Sequence, residues 1–253
     1  EAWEEYDTTF AGFAATKHVP LGGTFELTAR CNLRCKMCYI RLDPQQMRLL
    51  GKELTAKEWI DLGKEAAAAG TLHLLITGGE PLLRADFEEI YTALNQMGFI
   101  ITLNTNATLM NKRYLKLFQK YPPTAVNITL YGASPETYGA VCGHEDGFEK
   151  TVRGLELLAS TSSVLEVRTT FIKDNLSKLG EIRAIANRFS NRFAINTLVF
   201  GSVRGAISDA KECRLEPQEI GSLEISNAQF YNDINNVIDP KHHDREKDLE
   251  KKI

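Results

Sequence analysis

Short apolar runs alternate with longer stretches of helical periodicity along most of the chain. Gly23 to Ala29 (GTFELTA) reads as a strand. Thr55 and Glu58 form a capping box, with the hydroxyl accepting from a free backbone N–H and the carboxylate reaching back, and they open a helix that runs to Gly70. Leu72 to Thr77 is a strand ending in Gly78-Gly79-Glu80-Pro81. Asp86 is placed to cap the next helix, with Phe87, Ile90, Tyr91, Leu94 and Met97 on one face. The pattern continues with a strand over Phe99 to Leu103, a helix over Asn111 to Lys120 (Tyr114, Leu115 and Phe118 inward) and a strand over Thr124 to Tyr131. A helix follows over Gly147 to Ser160, then a strand over Val164 to Ile172, a helix over Lys178 to Ser190 and a strand over Phe193 to Phe200. A last helix begins at Pro217.

About six β-α units imply a parallel sheet with right-handed crossovers. Six units suit either an open doubly wound sheet or an incomplete β/α barrel, and in both the ligand site lies at the C-terminal ends of the strands. The unusual residues fall there: cysteines after the first strand, Gly-Gly-Glu-Pro after the second, and Asn104-Thr105-Asn106 after the third. One shared site is expected.

Composition narrows the function. Hydrophobic residues make up 43% and charged residues 25%, which excludes wholesale disorder. Thirty basic against 33 acidic side chains leave a net charge of −3, so no global positive field exists to hold a nucleic-acid backbone. No apolar run reaches the roughly 18 residues of a membrane span, and the acidic N-terminus is unlike a signal peptide. A cytoplasmic location is expected. The segment from Asp239 to Ile253 is highly charged, and its His242 and His243 are expected to face solvent rather than bind metal.

Of five cysteines, three are spaced CxxxCxxC: Cys31, Cys35 and Cys38. At about 2% cysteine, that pattern arises by chance in roughly 0.002 chains of this length. A structural zinc site normally closes with four ligands, yet no further cysteine or histidine lies within twenty residues after Cys38. Three thiolates in one loop suit an iron–sulfur cluster with one iron left open. Arg34 and Lys36 in that loop are expected to be solvated or to offset the cluster's negative charge. Cys142 and Cys213 read as free thiols in loops, with a role in radical transfer or a second cluster as the alternative.

With Tyr39 after the last cysteine and Gly78-Gly79-Glu80-Pro81 after the second strand, the sequence resembles the radical S-adenosylmethionine superfamily over roughly Gly22 to Val203. The resemblance implies an α/β fold, an incomplete (β/α)6 TIM-like barrel with parallel strands. It implies one site-differentiated 4Fe–4S cluster on Cys31, Cys35 and Cys38, and S-adenosylmethionine bound at the open iron and cleaved to a 5′-deoxyadenosyl radical. Tyr39 joins the cofactor site. Gly78 and Gly79 let the backbone approach the methionine moiety, Glu80 offers a carboxylate to its ammonium group, and Pro81 fixes the turn. Asn104 and Asn106 match the polar cluster after strand three, and Thr129 matches a ribose contact. Thr170 and Arg204 are candidates for the cofactor carboxylate or the substrate.

The stretch from Asn127 to Leu158 resembles the branch that modifies peptides and proteins, typified by sulfatase maturases. A peptide or protein substrate and an electron donor such as flavodoxin or ferredoxin are therefore implied. In that branch a cysteine-rich C-terminal extension binds auxiliary clusters, whereas this sequence holds only Cys213 after Ser190. Either one cluster suffices or the auxiliary region lies outside this sequence. The chain divides on this reading into an N-terminal segment (1–22), the partial barrel (23–215) and a charged helical extension (216–253). Two other readings stay open: a superfamily enzyme acting on a small molecule or cofactor precursor, and a non-enzymatic zinc- or iron–sulfur-binding protein.

Overall fold

The strand order decides between the two architectures. In the computed structural model, which describes residues 11–203 and 210–238, six strands form one sheet in the order β1-β2-β3-β4-β5-β6, every pairing parallel. They are β1 (Gly22–Glu26), β2 (His73–Thr77), β3 (Ile100–Thr105), β4 (Ala125–Thr129), β5 (Val164–Thr170) and β6 (Phe193–Asn196). A doubly wound sheet reverses direction once; this one never does. Right-handed crossovers then put the helices that connect the strands on the same face and leave the other face concave. β1 and β6 do not pair, so the barrel is incomplete, as expected.

The helices are α1 (Pro44–Leu50), α2 (Ala56–Ala68), α3 (Phe87–Gln96), α4 (Lys112–Lys120), α5 (Pro135–Cys142), α6 (Gly147–Ala159), α7 (Leu179–Ala186), α8 (Ala210–Cys213) and α9 (Pro217–Ile238). The Thr55–Glu58 capping box forms as expected. Sequence periodicity missed the short α8 and also α1 and α5, whose capping boxes at Asp43–Gln46 and Ser134–Thr137 are marked in both cases by a proline at the start of the helix. Asp86 does not cap α3. Its carboxylate takes two bonds from Arg84, at 2.9 and 2.7 Å, and is unavailable. In α4, Leu117 rather than Leu115 joins Tyr114 and Phe118 inside. The strand expected over Phe193 to Phe200 ends at Asn196, and the rest is irregular.

Alternate strand residues divide cleanly between the faces. Leu74 and Ile76, Ile101 and Leu103, Val126 and Ile128, and Leu165 and Val167 are buried toward the helices. Against them pack Phe87, Ile90, Tyr91 and Leu94 of α3 and Phe118 of α4, all fully buried, with the Phe87, Tyr91, Tyr114 and Phe118 rings 5.3 to 6.4 Å apart. Toward the C-terminal ends of β3 to β5 the residues of opposite parity are polar: Asn104, Asn127, Thr129, Arg168 and Thr170. The core thus lies on one side of the sheet and the chemistry on the other.

The chain folds as two compact units, the first ending at Cys213 and the second beginning at Arg214. The described part of the second contains α9, which starts at Pro217 as expected. Among the described residues no helix is long and apolar enough to cross a membrane. The expected contacts of Arg204, His242 and His243 lie outside the described residues.

α6 braces the end of β3. A Cβ built on Gly154 would lie 2.2 Å from the carbonyl oxygen of Ala107, and Ala107 itself holds a left-handed φ of 58°. Glycine in a helix interior ordinarily costs about 1 kcal/mol relative to alanine. Here the clash is with backbone and outweighs that gain. Gly154→Ala is expected to destabilise the protein by roughly 1–3 kcal/mol, read as a lower midpoint in urea unfolding; a raised midpoint would contradict this packing.

Candidate active site at the strand ends

The loop after β1 brings all three motif cysteines to one cleft of about 340 Å³. Its lining includes Cys31, Cys35, Cys38 and Tyr39; Gly78 and Gly79; Asn104 and Asn106; and Thr129 and Thr170. Ten of the residues singled out from sequence therefore meet in one place. The sequence reading passed over Asn127, Tyr131, Arg168 and Asn196 and the apolar wall of Leu198, Val199 and Phe200, which also line it. A signal for the polar ones exists: Asn127 with Thr129, and Arg168 with Thr170, are period-two polar pairs in otherwise apolar strands. Register sets them side by side, Asn104 beside Asn127, Thr129 beside Arg168, and Thr170 beside Asn196.

Glu80 differs from expectation. It does not face the cleft; its side chain is fully buried beneath it. One carboxylate oxygen accepts from the Leu82 N–H at 3.0 Å and the Thr105 hydroxyl at 2.8 Å, and the other accepts from the Asn106 N–H at 2.8 Å. The carboxylate thus ties the end of β2 to the end of β3 and is committed inside the protein rather than offered to an ammonium group. Pro81 is likewise buried and absent from the cleft wall. Burial pushes the Glu80 carboxyl up to about 7 against the pull of its three donors.

The two glycines are needed for a neighbouring backbone. A Cβ on Gly78 would lie 2.7 Å from the Thr28 carbonyl oxygen, and one on Gly79 2.3 Å from that of Arg30. The contact is cemented by Gly79 N–H to Thr28 O at 2.6 Å and Glu80 N–H to Arg30 O at 2.8 Å. Residues 28–30 launch the cysteine loop, so this turn positions the loop directly.

Asn106 has a similar duty. Its amide donates to the Asn32 side-chain Oδ1 at 3.0 Å and lies 3.8 Å from the Cys31 sulfur, while its own oxygen accepts from the Thr108 N–H and hydroxyl at 2.9 and 2.6 Å. Asn32 donates in turn to the Thr108 hydroxyl at 2.7 Å. Asn106 thus lines the cleft and also closes a polar knot holding the cysteine loop. Lys36, expected to be solvated or to offset cluster charge, is paired instead with Asp174 at 2.7 Å. Cys142 is not in a loop: it ends α5 fully buried, where its carbonyl accepts from the Arg34 N–H at 2.8 Å. Cys213 is not in a loop either: it ends α8, buried, and does not line the cleft.

The donor set suits an anionic iron–sulfur group. Backbone N–H groups of Leu33 and Arg41 point at the sulfurs of Cys31 and Cys38, at 3.4 and 3.3 Å. The Arg41 Nε is buried with no hydrogen-bond partner, and its charge acts on Cys35 and Cys38. Burial pushes the Cys31 thiol up to about 12 and raises Cys38, while the neighbouring Cys142 thiol and burial together raise Cys35. Such thiols keep their protons until a metal displaces them. Among the described residues no three His, Cys, Asp or Glu side chains are grouped to hold a single metal ion.

The Glu80 shift sets a pH dependence. The unfolded carboxyl titrates near 4.5 and the folded one near 7, so between these values the folded chain holds a proton that the unfolded chain has lost. Its contribution to stability is complete below about pH 4.5 and is lost as pH rises through about 7. In the metal-free chain, wild type is expected to lose on the order of 3 kcal/mol more than Glu80→Gln between pH 4.5 and 7.5, measured by urea unfolding across that range. Parallel curves for the two proteins would contradict it.

Comparison with known proteins agrees with this geometry. Residues 25–200 match the Radical SAM superfamily. PqqA peptide cyclase of Rhizobium meliloti (strain 1021) is 26% identical over 182 residues, 72% of this chain and 48% of the cyclase. AdoMet-dependent heme synthase of Methanosarcina barkeri (strain Fusaro / DSM 804) is 32% identical over 158 residues, 61% of this chain and 44% of the synthase. The chain thus spans about half the length of the curated relatives it matches. Streptococcus suis SuiB bound to S-adenosylmethionine shares the fold, with a TM-score of 0.67 at 14% identity over 91% of this chain and 50% of SuiB. The match spans the parallel partial barrel with its three cysteines after the first strand and its Gly-Gly-Glu-Pro turn after the second, and the chain belongs to the radical SAM superfamily.

Proposed function

We propose that this chain carries the catalytic partial barrel of a radical S-adenosylmethionine enzyme acting on a peptide or protein side chain. The observation that carries the reading is the convergence of Cys31, Cys35 and Cys38 with the polar ends of β2 to β6 on one cleft. Cys31, Cys35 and Cys38 would hold a 4Fe–4S cluster, leaving one iron without a protein ligand. When bound, that cluster supplies the electron that cleaves S-adenosylmethionine to methionine and a 5′-deoxyadenosyl radical.

The chain's own residues bind, orient and exclude water. Arg168 is the one cation among the described residues lining the cleft, and it is half-exposed beside Glu166; it fits the cofactor carboxylate. Thr129 and the Asn104–Asn127 amide pair, joined at 2.8 Å, present hydroxyl and amide groups suited to the nucleoside. Tyr39 and Phe200, rings 6.2 Å apart, with Leu198 and Val199, give a wall that keeps bulk water from a reactive radical. Thr170, beside Asn196 on the neighbouring strand, lines the cleft where the substrate would approach. An electron carrier such as flavodoxin or ferredoxin and a reducing, cytoplasmic setting complete the proposal.

The peptide substrate is supported by the match to PqqA peptide cyclase. A second reading, a tetrapyrrole or other small molecule, is favoured by the identity to AdoMet-dependent heme synthase.

Anaerobic reconstitution with iron and sulfide, then reduction by dithionite with S-adenosylmethionine, is expected to yield 5′-deoxyadenosine. Cys35→Ala should reduce the yield to background. A fully loaded cluster giving no 5′-deoxyadenosine would overturn the reading. With deuterated candidate substrates, deuterium in the 5′-deoxyadenosine from a peptide supports the first reading and from a tetrapyrrole the second.

A further inference from the structure

The cation assigned to the cofactor carboxylate is not alone on its strand. Glu166 and Arg168 stand two positions apart on β5 with the same parity, and Glu166 sits one step further in, outside the cleft lining. Its carboxylate accepts from the Arg168 Nε–H and is the one hydrogen-bond partner of that guanidinium among the described residues. Register places Thr129 of β4 and Ala194 of β6 on either side of Arg168. Side-chain exposure is 47% at Arg168 and 26% at Glu166, so the acid is the sheltered partner and the guanidinium the open one.

A guanidinium can take a carboxylate in two bidentate ways, end-on through its two terminal nitrogens or side-on through Nε and one of them. With Nε held by Glu166, the side-on approach is closed and the end-on approach is left. The tether also bears on affinity. A free arginine loses rotamer freedom when it takes a ligand, which lowers affinity about two- to tenfold; one already held has lost much of that freedom beforehand. An opposing effect is the negative charge that Glu166 sets near an incoming carboxylate. Arg168 is half in solvent, where such repulsion is screened, and the tether outweighs it.

We infer that Glu166 is a positioning residue: it fixes Arg168 so that the two terminal nitrogens meet the carboxylate of S-adenosylmethionine end-on. The inference rests on the proposed role of Arg168 in the cofactor site. It extends that site one step down β5, to a side chain the cleft wall does not include.

The test measures the Kd of S-adenosylmethionine for the reconstituted, oxidised chain by anaerobic calorimetry. Wild type is compared with Glu166→Ala, Glu166→Gln, Arg168→Ala and the double variant Glu166→Ala/Arg168→Ala, all with equal iron and sulfide content per chain. Glu166→Ala should raise Kd about threefold to tenfold. Glu166→Gln keeps an acceptor for Nε and removes the charge, so it should match wild type or bind more tightly. In the Arg168→Ala background, Glu166→Ala should change nothing further, which a general packing role would not produce. An unchanged or lower Kd in Glu166→Ala, an equal rise in Glu166→Ala and Glu166→Gln, a further loss in the double variant, or loss of cluster loading in Glu166→Ala would each overturn the inference alone. Wild-type affinity in Arg168→Ala overturns the role of Arg168 and this inference with it. A wild-type chain that loads a cluster yet binds no S-adenosylmethionine overturns the proposed function as well.

Discussion

The buried carboxylate of Glu80 is the point on which the site's geometry depends. It draws the Leu82 N–H, the Thr105 hydroxyl and the Asn106 N–H to one centre, joining the ends of β2 and β3 where no strand hydrogen bond reaches. From there the order spreads outward. Asn106, fixed by that bond, holds Asn32 and approaches Cys31; the turn before Glu80 lies against Thr28 and Arg30 so closely that only glycine fits. Tyr114 adds a brace by donating to the Leu82 carbonyl at 2.9 Å. A charge held this deep in low dielectric is costly unless its hydrogen bonds are complete. That cost locks the arrangement to one geometry.

The same constraint explains how an irregular loop can present three thiols with little secondary structure of its own. Arg84, almost entirely buried, donates to the Leu27 and Leu54 carbonyls at 2.9 Å each while paired with Asp86, and so anchors the exit of β1. The loop is then tied at its start by residues 28–30, at Asn32 by Asn106 and at residues 34–36 by α5. A site that must hold a reactive group steady gains more from such supports than from tight packing of the loop itself.

The fold was legible in the amino-acid sequence because its core obeys simple periodicities. Phe87, Ile90, Tyr91 and Leu94 recur at helical spacing, and alternating strand residues divide between core and cleft. The motif cysteines were legible because their chemistry is rare enough to stand out. What escaped were properties set by long-range contact. Glu80 read as a ligand-facing carboxylate because sequence shows its type but not that Thr105 and Asn106, about 25 positions on, would consume its oxygens. Asp86 read as a cap because Arg84, two residues away, competes for the same carboxylate only once Leu27 and Leu54 fix the guanidinium. Cys142 read as a thiol in a loop because nothing local shows that Ser134-Pro135 starts a helix ending against the cysteine loop. Leu115 and Leu117 are both apolar in α4, and only the approach of the sheet decides which one is buried.

The central claim is that three thiols hold a four-iron cluster with one iron open to S-adenosylmethionine. Mössbauer spectroscopy of the chain reconstituted with iron-57 addresses it most directly. The expected result is a four-iron cluster in which one iron becomes distinct from the other three when S-adenosylmethionine is added. Four irons that do not respond to it, or one zinc per chain without sulfide, would contradict it.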